Sequence, residues 1–157
     1  MYIYHDTVIR LERERKGHDH CRSKGAVFDL ARLVNGEGKA VDPRRPGLLL
    51  DNSAGPKIIY AVSSDLEVHI AFDGVRGAAD AVKHETLFQN ANVEAAGEVS
   101  FVMGRVSGIN DHSGSYGTFG KLVSDPAFAR AVRRGFSRTL VLMDPSVQKN
   151  LRSHRRR

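Results

Sequence analysis

A chain of 157 residues with 41% hydrophobic and 27% charged side chains has the length and composition of one water-soluble domain with a proper core. It has no apolar run of the eighteen or so residues that a membrane helix needs, and its single cysteine, Cys21, excludes an internal disulfide framework. The formal charge of +6 points to an anionic partner, although the last six residues supply four arginines and the rest of the chain carries only about +2.

Residues 2–9 alternate large and polar groups and predict a strand, and the charged run 10–16 predicts a short helix or an exposed turn. The stretch 17–25, bounded by two glycines, reads as a loop. It holds His18, Asp19, His20 and Cys21, residue types that ligate metals, but ligands two apart need further groups from elsewhere, so no metal is assigned. Over 26–35, Val27, Leu30, Ala31 and Val34 recur at helical spacing ahead of Gly36, predicting a helix. The Gly- and Pro-rich residues 35–47 predict an irregular loop.

From Leu48 the pattern changes to short apolar runs separated by turn residues. Strands are predicted over 57–64 and 66–74, then a short helix over 76–83. Residues 93–103 and 105–110 predict a hairpin turning near Met103-Gly104. Ser124, Asp125 and Pro126 supply a helix start, with Gly135 as its stop. Residues 137–144 predict a last strand, and Pro145 opens a terminal helix. Several strands in succession imply an α+β domain over 1–151, with a mostly antiparallel sheet and a few flanking helices, followed by a basic tail over 152–157.

The chemistry concentrates between Lys83 and Gly117. His84 and Thr86, then Ala95, Ala96, Gly97 and Glu98, then Ser113, Gly114 and Tyr116 form a block that resembles one found near the C-termini of bacterial secreted polymorphic (Rhs-type) toxins and in plant IQ-motif calmodulin-binding proteins. Glu85 and Ser115 depart from the pattern, standing where a hydroxyl residue and a second His are usual. The resemblance implies an effector domain acting in the cytoplasm of a target cell and silenced in its producer by an immunity protein. The excess positive charge favours an acidic one. The N-terminal residues lack the apolar stretch of a signal peptide, so a larger parent chain or a secretion machine is expected to deliver the domain.

Tyr4-His5-Asp6-Thr7 is similar to the NAD-gripping strand of diphtheria-type ADP-ribosyltransferases. That similarity implies NAD as cofactor, with His5 and Thr7 holding the nicotinamide ribose and Tyr116 or Tyr60 stacking on the nicotinamide. Thr86 and Ser113 are further candidates for the cofactor site. Glu98 is then the carboxylate that offsets the positive charge developing as nicotinamide leaves, with His84 beside it. A second enzyme is compatible with the same stretch. A metal-independent ribonuclease needs a general base, a general acid and a cation, which His84, Glu98, His112 and Lys83 or Lys121 can supply, with RNA as the anionic target. A third reading, from outside catalysis, is a module that captures a protein partner.

Overall fold

The computed structural model describes residues 27–73, 83–89, 91–113 and 116–153. The predicted strand 2–9, with His5 and Thr7, the metal-type loop 17–25 and most of the predicted helix 76–83 lie outside these residues. So do the arginines that end the chain.

Among the described residues, five antiparallel strands form one sheet: β1 (Val27–Asp29), β2 (Ile58–Ser63), β3 (Val68–Phe72), β4 (Val93–Val102) and β5 (Arg105–Ile109), in the order β1-β3-β2-β4-β5. Three helices follow, α1 (Lys121–Ser124), α2 (Pro126–Thr139) and α3 (Pro145–Ser153). The chain thus has the α+β architecture that its element order predicts.

The central strand β2, IIYAVS, is buried on both faces along most of its length, which suits its β-branched and aromatic residues. Its alternation splits the core in two. Ile58, Tyr60 and Val62 point to the face covered by α2, and Ile59 and Ala61 point to the other. On the helix side, Phe128, Val132 and Phe136 of α2 recur every four residues and pack onto the sheet, with Phe136 edge-on to Tyr60 at 5.3 Å between ring centroids. The second face carries a smaller apolar cluster, in which Leu87 and Tyr116 cover Ile59, Ala61, Ala71 and Ala96.

Three predicted elements differ from the structure, each for a tertiary reason. Residues 26–35 do not form a helix. Val27–Asp29 pairs with β3, Phe28 meets Phe72 edge-on at 6.2 Å, and only Leu30–Leu33 coils, as a single 3-10 turn capped by the Asp29 carboxylate. Strand pairing and the burial of Leu30 outweigh the helical spacing. Gly135 does not stop α2, which runs on to Thr139 and ends at Leu140 in the left-handed conformation. A Cβ at Gly135 would lie 2.8 Å from Val62 Cγ1 and 3.1 Å from Val68 Cγ2, so glycine lets the helix sit close against the sheet there. Residues 137–144 therefore yield only a short extended stretch. It adds a single parallel bridge, Met143 to Val106, at the outer edge of β5.

The hairpin falls where predicted. Met103 (φ 50°) and Gly104 (φ 81°) both take the left-handed conformation of a two-residue turn joining β4 to β5. Asp51 Oδ2 accepts from the Met103 amide at 3.1 Å, which anchors the turn to the preceding loop. The Ser53 hydroxyl and amide and the Met103 amide together hold the Asp51 carboxyl below the usual carboxylate range. Among the described residues no helix is long and apolar enough to cross a membrane.

Candidate functional site

Strand β4 carries the Ala95-Ala96-Gly97-Glu98 motif, and its alternation decides what each residue does. Ala95 enters the helix-side core and Ala96 the second-face core, and both are fully buried. Gly97 is required by its neighbour. A Cβ there would fall 1.9 Å from the Asn110 carbonyl oxygen, 2.8 Å from its carbon and 3.0 Å from Asp111 Cα, all backbone atoms. The chain leaving β5 thus crosses directly over Gly97.

That crossing builds the surroundings of Glu98. The Asn110 amide donates to the Glu98 carbonyl at 3.0 Å, and the Glu98 amide donates to Asn110 Oδ1 at 2.9 Å. Asn110 Nδ2 in turn donates to Glu98 Oε1 at 3.0 Å, and the Tyr60 hydroxyl fixes the Asn110 carbonyl at 2.9 Å. Backbone and side chain of Asn110 therefore orient the Glu98 carboxylate together. Lys57, just before β2, brings its ammonium to 3.5 Å from Oε2, and His112 places Nδ1 3.9 Å from Oε1. The His112 ring rests on Phe119 with centroids 4.9 Å apart, and its Nε2 lies 4.0 Å from Asp111. The Glu98 side chain is a quarter exposed, and those of His112 and Lys57 are more than half exposed.

Beside the carboxylate lies an open cavity of about 260 Å³, lined by Asn52, Lys57, Glu98, Ser100 and Asn110 among others. It forms where the β2–β4 ladder ends at Ile58 opposite Val99. Asn52 Oδ1 accepts from the Phe101 amide at 2.7 Å and Asn52 Nδ2 donates to the Pro56 carbonyl at 3.2 Å, which hold the cavity's outer wall against β4. A carboxylate and an ammonium thus line one solvent-accessible recess, and an imidazole stands beside the carboxylate. The set can accept a proton, donate one and offset negative charge.

The other predicted site residues fall elsewhere. His84, in a 3-10 turn (His84–Thr86), is almost buried and places Nε2 2.8 Å from the Gly97 carbonyl. A carbonyl only accepts, so Nε2 carries a proton and is engaged with the backbone next to Glu98. Thr86 Oγ1 donates to the Lys83 carbonyl at 2.7 Å, closing the same turn. Ser113 is 1% exposed, and its Oγ accepts from the Tyr116 amide at 3.4 Å. The Tyr116 ring, 3% exposed, is packed into the second-face core, and Tyr60 is fully buried, so neither offers a ring face for a nicotinamide. Around Glu98 the structure brings together His112, Asn110 and Lys57. Two of these, Asn110 and Lys57, have no signal in the sequence beyond their residue types, because strand pairing alone brings them to β4. The cation against Glu98 is Lys57, where the sequence suggested Lys83 or Lys121.

No protein family, curated protein or solved structure matches this chain.

Proposed function

We propose that the chain is the catalytic domain of a bacterial effector toxin that cleaves RNA without a metal, with the Glu98 recess as its active site. The observation that carries this reading is the grouping of His112 and Lys57 around the Glu98 carboxylate, which together with Lys57 lines an open cavity. In the reaction, Glu98 takes the proton of a ribose 2′-hydroxyl, whose oxygen attacks the adjacent phosphorus. As that bond forms, the bond from phosphorus to the 5′-oxygen breaks, and His112 gives its proton to the departing oxygen. Lys57 offsets the charge gathered on the non-bridging oxygens. The products are a 2′,3′-cyclic phosphate and a 5′-hydroxyl. Asn110 fixes the carboxylate, and His84 supports the strand from behind through the Gly97 carbonyl.

Purified protein incubated with RNA in excess chelator and without NAD should yield cyclic-phosphate ends, and Glu98→Gln should abolish them. Intact RNA under these conditions removes the ribonuclease reading.

A second reading, ADP-ribosyl transfer from NAD, is favoured by one feature, a strand-borne carboxylate fixed by an amide beside an open recess. It relies on His5 and Thr7 to complete the cofactor site. Transfer of label from the adenylate part of NAD to a macromolecule, lost in Glu98→Gln, would select it. In either reading the domain is delivered by a larger parent protein, acts in the target-cell cytoplasm and is silenced by an acidic immunity protein. If both assays are negative, the remaining reading is a non-catalytic module that binds a protein partner.

A further inference from the structure

We propose that Asp29, Glu67 and His69 form a binding site for a single zinc-class divalent cation, on the second face of the sheet and apart from the Glu98 recess. Asp29 ends β1 and stands directly opposite His69 on β3, so their side chains share a face. Glu67 precedes His69 by two residues, which returns it to that same face. One cross-strand pair and one spacing of two thus bring three ligand types together, with donor atoms all within 4.8 Å of one another.

The histidine is prepared for this role. His69 Nδ1 lies 2.7 Å from the Leu87 carbonyl, which only accepts, so Nδ1 carries the proton and Nε2 is turned toward the carboxylates. Phe88 stacks on the ring at 3.9 Å and 12°, fixing its plane. A ring nitrogen held by a backbone carbonyl while the other faces carboxylates is the outer-shell arrangement of histidine metal ligands. Glu67 Oε1 lies 3.4 Å from Nε2. Two ligands each about 2.1 Å from a tetrahedral zinc ion stand roughly 3.4 Å apart.

Two carboxylates and an imidazole nitrogen facing one another favour a positive species between them. Arg32 Nε comes no closer than 4.0 Å to Asp29 Oδ2, and its side chain is 87% exposed and able to swing aside. A proton on Nε2 is the competing occupant, and it would give an ordinary ion pair with Glu67. One imidazole with two carboxylates suits zinc better than calcium or magnesium, which prefer oxygen alone. The ion would bind β1 to β3. Through Leu87 it would also steady the segment that carries His84.

The test is titration of the full chain with Zn²⁺, followed by competition against Co²⁺ absorbance and by thermal melting. Glu67→Gln removes a ligand from an exposed side chain. Asp29→Asn removes a second, while asparagine keeps the cap on the following turn. A third variant, His18→Ala with His20→Ala and Cys21→Ala, removes the other metal-type cluster. The wild type should bind Zn²⁺ at micromolar concentration or below and melt higher with it. Asp29→Asn and Glu67→Gln should each weaken binding by about tenfold or more, and the triple variant should retain it. A wild type whose melting ignores Zn²⁺, a zinc signal that survives Glu67→Gln, or one lost in the triple variant alone overturns the assignment.

Discussion

Replacing Gly97 by alanine tests whether the crossing of the chain over β4 holds the site together. The new methyl would stand 1.9 Å from the Asn110 carbonyl oxygen, where ordinary contact begins at 3.4 Å, so the backbone at 110–111 must retreat by about 1.5 Å. That retreat strains or breaks the Asn110–Glu98 backbone bond, the Glu98 amide bond to Asn110 Oδ1 and the Tyr60 hydroxyl bond. Overpacking a tight site costs about 1–3 kcal/mol, and each hydrogen bond lost adds about 1 kcal/mol. With all three bonds lost, about 4–6 kcal/mol is expected, a large part of a typical domain's stability of roughly 5–15 kcal/mol. Gly108→Ala is the control. Its Cβ meets nothing closer than Ser100 at 3.8 Å, so alanine there should be neutral or slightly stabilising. Urea unfolding followed by circular dichroism gives both values. A Gly97→Ala protein within about 0.5 kcal/mol of wild type, the scatter of an ordinary surface change, refutes the close crossing, and so does a Gly108→Ala protein equally damaged.

Glu98→Gln should reduce RNA cleavage by about 10²–10⁴-fold, the usual contribution of a general base, with a melting temperature close to wild type because the Lys57 pair it loses is largely exposed. His112→Ala should lower kcat far more than it changes KM, and added imidazole should restore part of the rate; unchanged turnover would remove His112 from the mechanism. Asp42 is buried, which alone would raise its pKa, but the amide and guanidinium of Arg44 and the guanidinium of Arg45 outweigh burial and hold it below its ordinary value of 3.8. Its contribution is therefore complete above that value and lost as pH falls through the lowered one. Asp42→Asn should cost about 1.5–3 kcal/mol near neutrality, the worth of hydrogen bonds to a charged group, with the gap to wild type closing below pH ~4. A gap that stays constant down to pH ~2 would show that the charge contributes nothing.

What could be read from the sequence follows the range of the forces involved. The Met103-Gly104 turn, the Asp125-Pro126 helix start and the strands β2 to β5 are written in local chemistry: left-handed turn residues, a capping carboxylate and β-branched alternation. The errors lie where a long-range contact overrides a local signal. Val27–Asp29 has helical spacing but faces the open edge of β3, and Gly135 resembles a stop signal but is the small residue that lets α2 settle onto Val62 and Val68.

The site divides in the same way. Glu98 is conspicuous in its motif, and so is Gly97, yet the reason for the glycine lies thirteen residues later, in the peptide of Asn110 that crosses it. Lys57 reaches Glu98 only because β2 pairs with β4, a contact between positions 41 residues apart that no local pattern records. Tyr116, a proposed ligand platform, lies instead in the second core, packed with Ile59 and Ala96. A motif rich in polar and aromatic residues thus serves two ends. Glu98 lines the recess with His112 beside it, while His84, Ser113 and Tyr116 secure the strand and loop that present them. Substitutions in the second group should therefore lower stability and activity together, whereas those at Glu98 and His112 should lower activity alone.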